Sequence, residues 1–203
     1  MTGRSSRSNP ATLREQLAQE AARLMMENGI EDYGLAKRKA AERLGVRSAG
    51  ALPSNAEVEE SLAERQRLFE PETHVPRLEA LRRIAADVME LLEPFEPRLV
   101  GPVLAGTATE TSPIEIHVYT EAPEHIVYAL EERQIAWRDC QRRYRFRPAE
   151  QPTSVPGYTF TCDGAEVVVV AFGERRSRQA PLSPVDQRPM KRASRADVLA
   201  LLA

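Results

Sequence analysis

An Asp-Gly pair at positions 163–164 separates two runs rich in β-branched and aromatic residues, Tyr158 to Cys162 and Glu166 to Phe172. Asp-Gly supplies the positive φ angles that a tight two-residue turn needs, so these residues predict a β-hairpin. The same half of the chain offers further strands. Arg98 to Ala105 and Ile114 to Thr120 both read as extended. The second alternates Ile114, Ile116 and Val118 on one face with Glu115, His117 and Tyr119 on a polar face. Arg142 to Arg147 alternates as well, while Glu124 to Gln134 has helical spacing through Ile126, Val127 and Leu130.

The half before Pro97 has a different period. Thr12 with Glu15 reads as a capping box opening a helix through Leu13, Leu17, Ala21, Leu24 and Met25, which ends near Asn28 and Gly29. A second helix is expected from Tyr33 to Leu44, closed by Gly45. Ser54 with Glu57 opens a third, whose buried stripe is Val58, Leu62, Leu68 and Phe69. Pro76 fits the first turn of a fourth, with Leu78, Leu81, Ile84, Ala85, Val88 and Leu92 inward, halted by Pro94 and Pro97. Ser194 with Asp197 caps a last short helix. The expected class is therefore α+β, an N-terminal helical region followed by a small mixed sheet. Residues 1–11 form a disordered tail in this reading, 12–70 the helical region and 71–203 an α+β domain with a basic C-terminal tail.

The chain of 203 residues has no apolar run near the roughly 20 residues that span a bilayer, and its start lacks an apolar signal core. No membrane association is expected. Its two cysteines, Cys140 and Cys162, make a disulfide framework improbable and a reducing cytoplasm the expected setting. Net charge is −2, but it is unevenly spread. Residues 71–131 carry 4 basic and 11 acidic side chains, whereas residues 171–203 carry 7 and 3. A basic tail can meet phosphate, or it can balance the acidic middle of its own chain.

Between Leu99 and Phe172 the expected order is a strand, a turn at Gly106 and Thr107, a strand bearing Glu115 and His117, a helix, and a hairpin whose second strand begins at Glu166. This order resembles the nucleotidyltransferase superfamily, in which a glycine turn follows the first strand, two acids alternate on the next, and a third stands on a later strand. The resemblance implies a nucleotidyltransferase-type sheet binding a nucleotide or another phosphorylated small molecule, with Mg²⁺ as cofactor and nucleotidyl transfer as the chemistry. It places Glu115, His117 and Glu166 at the catalytic face. His117 stands where the second acid belongs and is a poor Mg²⁺ ligand. That leaves Glu115 and Glu166 as the metal ligands. Gly106 and Thr107 would bind ligand, joined by Arg175, Arg176, Lys191 and Arg192, because the tail leaves the strand that carries Glu166 and guanidinium groups bind phosphate oxygens bidentately. The chain as a whole also resembles a bacterial family of this length grouped loosely with nucleotidyltransferases.

Residues 21–46 resemble the opening of tetracycline-repressor-type DNA-binding domains, an amphipathic helix ending at Glu27-Asn-Gly29 followed by a short helix and Ala40-Ala-Glu-Arg-Leu-Gly-Val46. A recognition helix would have to follow Val46, but Gly50 and Pro53 oppose one. Lys37, Arg38 and Lys39 could meet nucleic-acid phosphate. The alternative function is a non-enzymatic interaction protein whose helical half binds a protein or nucleic-acid partner. Dinucleotide-binding, phosphate-loop, nucleophile-elbow and Cys-x-x-Cys motifs are absent from the sequence.

Overall fold

The structure, a computed structural model, describes residues 10–46, 52–69 and 71–203. The expected tail before residue 10 and the segment 47–51 after the repressor-like stretch lie outside them. The chain divides into two compact units, Met1–Pro71 and Glu72–Ala203.

In the first unit, α1 (Pro10–Asn28), α2 (Tyr33–Arg43) and α3 (Asn55–Phe69) enclose a small aliphatic core. Leu17, Ala21, Leu24 and Met25 of α1 meet Ala36 and Ala40 of α2 and Val58 and Leu62 of α3. Helix α1 begins at Pro10, so Thr12 lies inside it rather than capping it. The Ser54 box does form: the Ser54 backbone N–H and Oγ–H both donate to Glu57, and the Glu57 N–H returns to Ser54 Oγ. The stripe on α3 differs from expectation. It continues from Val58 and Leu62 to Gln66, each one turn on, and leaves Leu68 and Phe69 largely exposed. Helix α3 carries Glu57, Glu59, Glu60 and Glu64 against Arg65 and Arg67, a charge balance that repels phosphate. Lys37 is occupied, donating to Pro53 O and Asn55 Oδ1.

The second unit is built on a five-stranded mixed sheet of order β1-β2-β5-β4-β3. Its strands are β1 (Arg98–Val100), β2 (Ile114–Tyr119), β3 (Trp137–Tyr144), β4 (Thr153–Cys162) and β5 (Ala165–Phe172). Only β2 and β5 pair in parallel. The hairpin forms as expected, with Asp163 at φ 48° and Gly164 at φ 81°. The extended run expected from Arg98 to Ala105 is a strand only to Val100. Gly101 turns the chain at φ 71° and Pro102, pre-set for a first helical turn, starts α5 (Gly101–Ala105). Strand β3 lies earlier than the Arg142–Arg147 run, and β4 starts well before Tyr158. Its Pro156 is tolerated because β4 has no β5 partner before Gly157.

One face of the sheet is covered by helices: Val88, Met89 and Leu92 of α4 (Pro71–Leu91) and its end, Val103 of α5, Ile126 and Leu130 of α6 (Glu124–Glu132), and Val198 of α7 (Arg195–Ala200). These pack on Ile114, Ile116, Val118, Val167, Val169 and Phe160. Helix α4 starts at Pro71, so Pro76 lies inside it. The opposite face is apolar too, with Tyr119, Val155, Val168, Val170 and Phe172 joined by Phe146. Its cover is the chain after β5. That segment returns to the sheet edge, where Ala193 exchanges both backbone bonds with Leu99 at 2.9 and 3.0 Å. The Ser194–Asp197 capping box then opens α7. No helix among the described residues is long and apolar enough to cross a membrane.

Gly157 has no room for a side chain. A Cβ there would stand 2.5 Å from the Val169 carbonyl oxygen and 3.2 Å from Cys140 Sγ. Gly157→Ala is therefore expected to cost about 2–3 kcal/mol by overpacking, read as a lower urea midpoint at unchanged slope; an unchanged midpoint would refute the clash.

Candidate functional site

Strand β2 sends Glu115, His117 and Tyr119 to the face covered by the C-terminal segment, in register with Val168, Val170 and Phe172 of β5. The sequence placed His117 on the polar face of its strand; it is instead fully buried, against the rings of Phe172 and Tyr144. Its ring lies 4.7 Å from that of Phe172 and 5.2 Å, edge-on, from that of Tyr144. Tyr144 reaches it from β3, two strands beyond β5, where it pairs with Thr153 and its ring lies 5.3 Å from that of Phe172. His117 Nε2 and Tyr144 Oη share a hydrogen bond of 3.2 Å, while Nδ1 is buried with no partner. Burial, and secondly the charge of Arg192, push the His117 pKa down to about 3. Burial, reinforced by the Glu115 carboxylate, pushes Tyr144 upward. At neutral pH this pair is an uncharged imidazole and an intact phenol.

Glu115 is half-buried and leans toward β1, where its Oε2 lies 3.0 Å from the point a Cβ on Gly101 would occupy. Gly101 is thus constrained twice, by its positive φ and by the carboxylate above it. The glycine that directly follows the first strand is Gly101, not Gly106. Gly106 ends α5 in the left-handed region at φ 86°. Its N–H and that of Thr107 both donate to Pro102 O, at 2.8 and 3.0 Å. Its carbonyl accepts from His74 Nε2 at 3.0 Å, and Arg82 donates to the carbonyls of Val103 and Leu104. The expected phosphate turn has spent its N–H groups, and it packs against α4 on the helix-covered side.

Glu166 is exposed at the start of β5 and accepts from Thr159 Oγ1 at 3.1 Å. The residue opposite Glu115 is Val168, so Glu166 sits two positions back on the neighbouring strand. Strand geometry puts their Cα atoms roughly 8 Å apart. Their side chains diverge, Glu115 toward β1 and Glu166 toward β4. Mg²⁺ requires oxygen ligands at about 2.0–2.1 Å, and this donor set does not fit it: one carboxylate, a buried imidazole and a second carboxylate turned away. Among the described residues no group of three or more His, Cys, Asp or Glu side chains gathers around a common point.

The C-terminal segment brings two cations to the face. Arg192 Nη1 donates to Tyr119 Oη at 2.6 Å and to Ser177 O at 2.9 Å. Both bonds leave from one nitrogen, so the Nε–Nη2 edge keeps its parallel donors. Arg176, adjacent to Ser177, holds its guanidinium 3.9 Å above the Phe146 ring. Among the described residues neither arginine forms a salt bridge; the cation that does reach the acidic middle is Arg195, 2.8 Å from Glu90. Arg175 and Lys191 are exposed. Sequence reasoning missed Gly101, Tyr119 and Tyr144. Tyr119 was legible in the alternation of β2 and Gly101 in the Gly-Pro pair, but Tyr144 joins His117 through tertiary pairing alone.

A comparison with protein-family models finds no matching family, and a comparison with curated proteins finds no match.

The unfolded chain takes up a proton on His117 near pH 6.5, the folded protein only near 3, so its contribution is complete above pH 6.5 and is lost as pH falls toward 3. Between pH 6.5 and 5 this contribution falls by about 2 kcal/mol. Urea unfolding at pH 7 and 5 is expected to show a drop smaller by that amount in His117→Gln; equal drops would rule out a buried neutral imidazole.

Proposed function

We propose that residues 72–203 bind a nucleotide or another phosphorylated small molecule at Arg192 and Arg176, on the C-terminal segment that lies over the sheet face carrying Glu115, His117 and Tyr119. The observation that carries this reading is Arg192, fixed by two bonds from Nη1 and presenting its Nε–Nη2 edge without a carboxylate partner. That edge matches two oxygens of a phosphate, and a guanidinium held in place loses little freedom on binding. Arg176 adds a second positive charge beside Ser177. Arg175 and Lys191, exposed on the same segment, extend the positive field and steer anions toward it.

Nucleotidyl transfer needs more than this. A phosphoryl centre under attack requires charge compensation on the attacking and leaving oxygens and a group to take the acceptor's proton. His117 is too weak a base at neutral pH, and the second carboxylate, Glu166, is turned away from Glu115 toward Thr159. The reading is therefore a nucleotidyltransferase-like binder with little or no transfer activity.

Isothermal titration of the full chain with ATP in the presence of Mg²⁺ is expected to show saturable binding. Arg192→Ala should weaken it roughly ten- to hundredfold, the range for a lost charge-assisted pair. Absence of binding, or an affinity indifferent to Arg192, would overturn the proposal.

A further inference from the structure

Two positions where a divalent cation would find oxygen ligands are occupied by groups that cannot serve it. Two residues along β2 from Glu115 stands His117, fully buried between the rings of Tyr144 and Phe172. Directly across on β5 stands Val168. The one other carboxylate on this face, Glu166, is bonded to Thr159 on the far side of β5. A cation at Glu115 would therefore keep most of its hydration shell beside an aromatic surface. It would also face like charge, because Arg192 lies close enough for its field to act on the His117 ring.

The positive charge a phosphate needs is already supplied. Arg192 is held by Tyr119 Oη and Ser177 O, and Arg176 is stacked on Phe146 next to that same Ser177. Two guanidinium groups without carboxylate partners carry a charge of +2, which complements the dianion of a phosphate monoester above its second pKa of about 6. A bidentate guanidinium also fixes orientation through two parallel N–H bonds, as a metal would through two oxygens.

Resting on the binding proposal above, we propose that Arg192 and Arg176 take the place of a divalent cation, so that the segment carrying them binds a terminal phosphate monoester, as in a nucleoside monophosphate, without metal.

The test is titration of the full chain with AMP in EDTA and again in Mg²⁺. The expected dissociation constants agree within about twofold, with Arg192→Ala weaker by at least about tenfold and Arg192→Lys recovering only part of the loss, since an ammonium lacks the planar fork. Arg192 also anchors its own segment, so Arg176→Ala, which leaves those anchoring bonds in place, serves as the second variant. It is expected to weaken AMP binding severalfold while thermal unfolding stays unchanged. Binding at least tenfold tighter in Mg²⁺ than in EDTA would overturn the metal-free assignment and leave the binding proposal standing. Affinities unmoved in both arginine variants would overturn the assignment of these two residues. If neither AMP nor ATP binds in either buffer, both proposals fall.

Discussion

Strand β5 has partners on both edges and buried side chains on both faces from Val167 to Phe172. A strand so placed cannot be satisfied by a single covering layer. Helices α4 to α7 dispose of one face, and an apolar face of Tyr119, Val168, Val170 and Phe172 remains to be removed from water. At roughly 25 cal/mol per Å² the burial of such a surface is worth several kcal/mol, enough to draw the polar, proline-rich chain after β5 across it. The arginines are carried there as passengers of that packing.

Burial then sets the electrostatics of the face. Once the segment lies across the sheet, His117 loses its water and with it the capacity to be charged near neutrality, and Tyr144 keeps its proton. The charges that act on the pair are the Glu115 carboxylate and the Arg142 guanidinium, both on the sheet, and Arg192 on the covering segment.

Much of the fold was legible in the residues. The Asp163–Gly164 turn, the Ser54 and Ser194 caps and the alternation of β2 are local rules, and local rules survive tertiary context. The misreadings arose where local patterns compete. Arg98 to Ala105 is uniformly apolar, which suits a strand or a buried helix equally, and the Gly101-Pro102 pair decided for a helix after three extended residues. Leu68 and Phe69 are apolar but fall off the one-turn spacing that Gln66 keeps. In the site, alternation correctly put Glu115, His117 and Tyr119 on one face, but it could not say whether water reaches that face. The answer lay more than 50 residues downstream, where Arg192 and its neighbours pack. Gly106 and Thr107 were read as a phosphate turn through the resemblance to nucleotidyltransferases, and the N–H groups of both are committed to Pro102 O.

The Leu99–Ala193 bridge makes the covering segment a loop with both ends tied, one continuous with β5 and the other hydrogen-bonded to the rim of β1. Side chains alternate across an extended chain, so with Ala193 turned into the helix-covered core, Arg192 is turned the opposite way, toward Tyr119. The number of residues between Phe172 and Ala193 is consequently a measuring rod. Inserting or deleting one of them would oblige the loop to pucker or slip, and a slip of one place at the bridge would put either Arg192 in the aliphatic core with Lys191 over the phenol, or Ser194 in the core with Ala193 over the phenol. In this segment chain length itself is a determinant of the site, independent of which residues fill most of it.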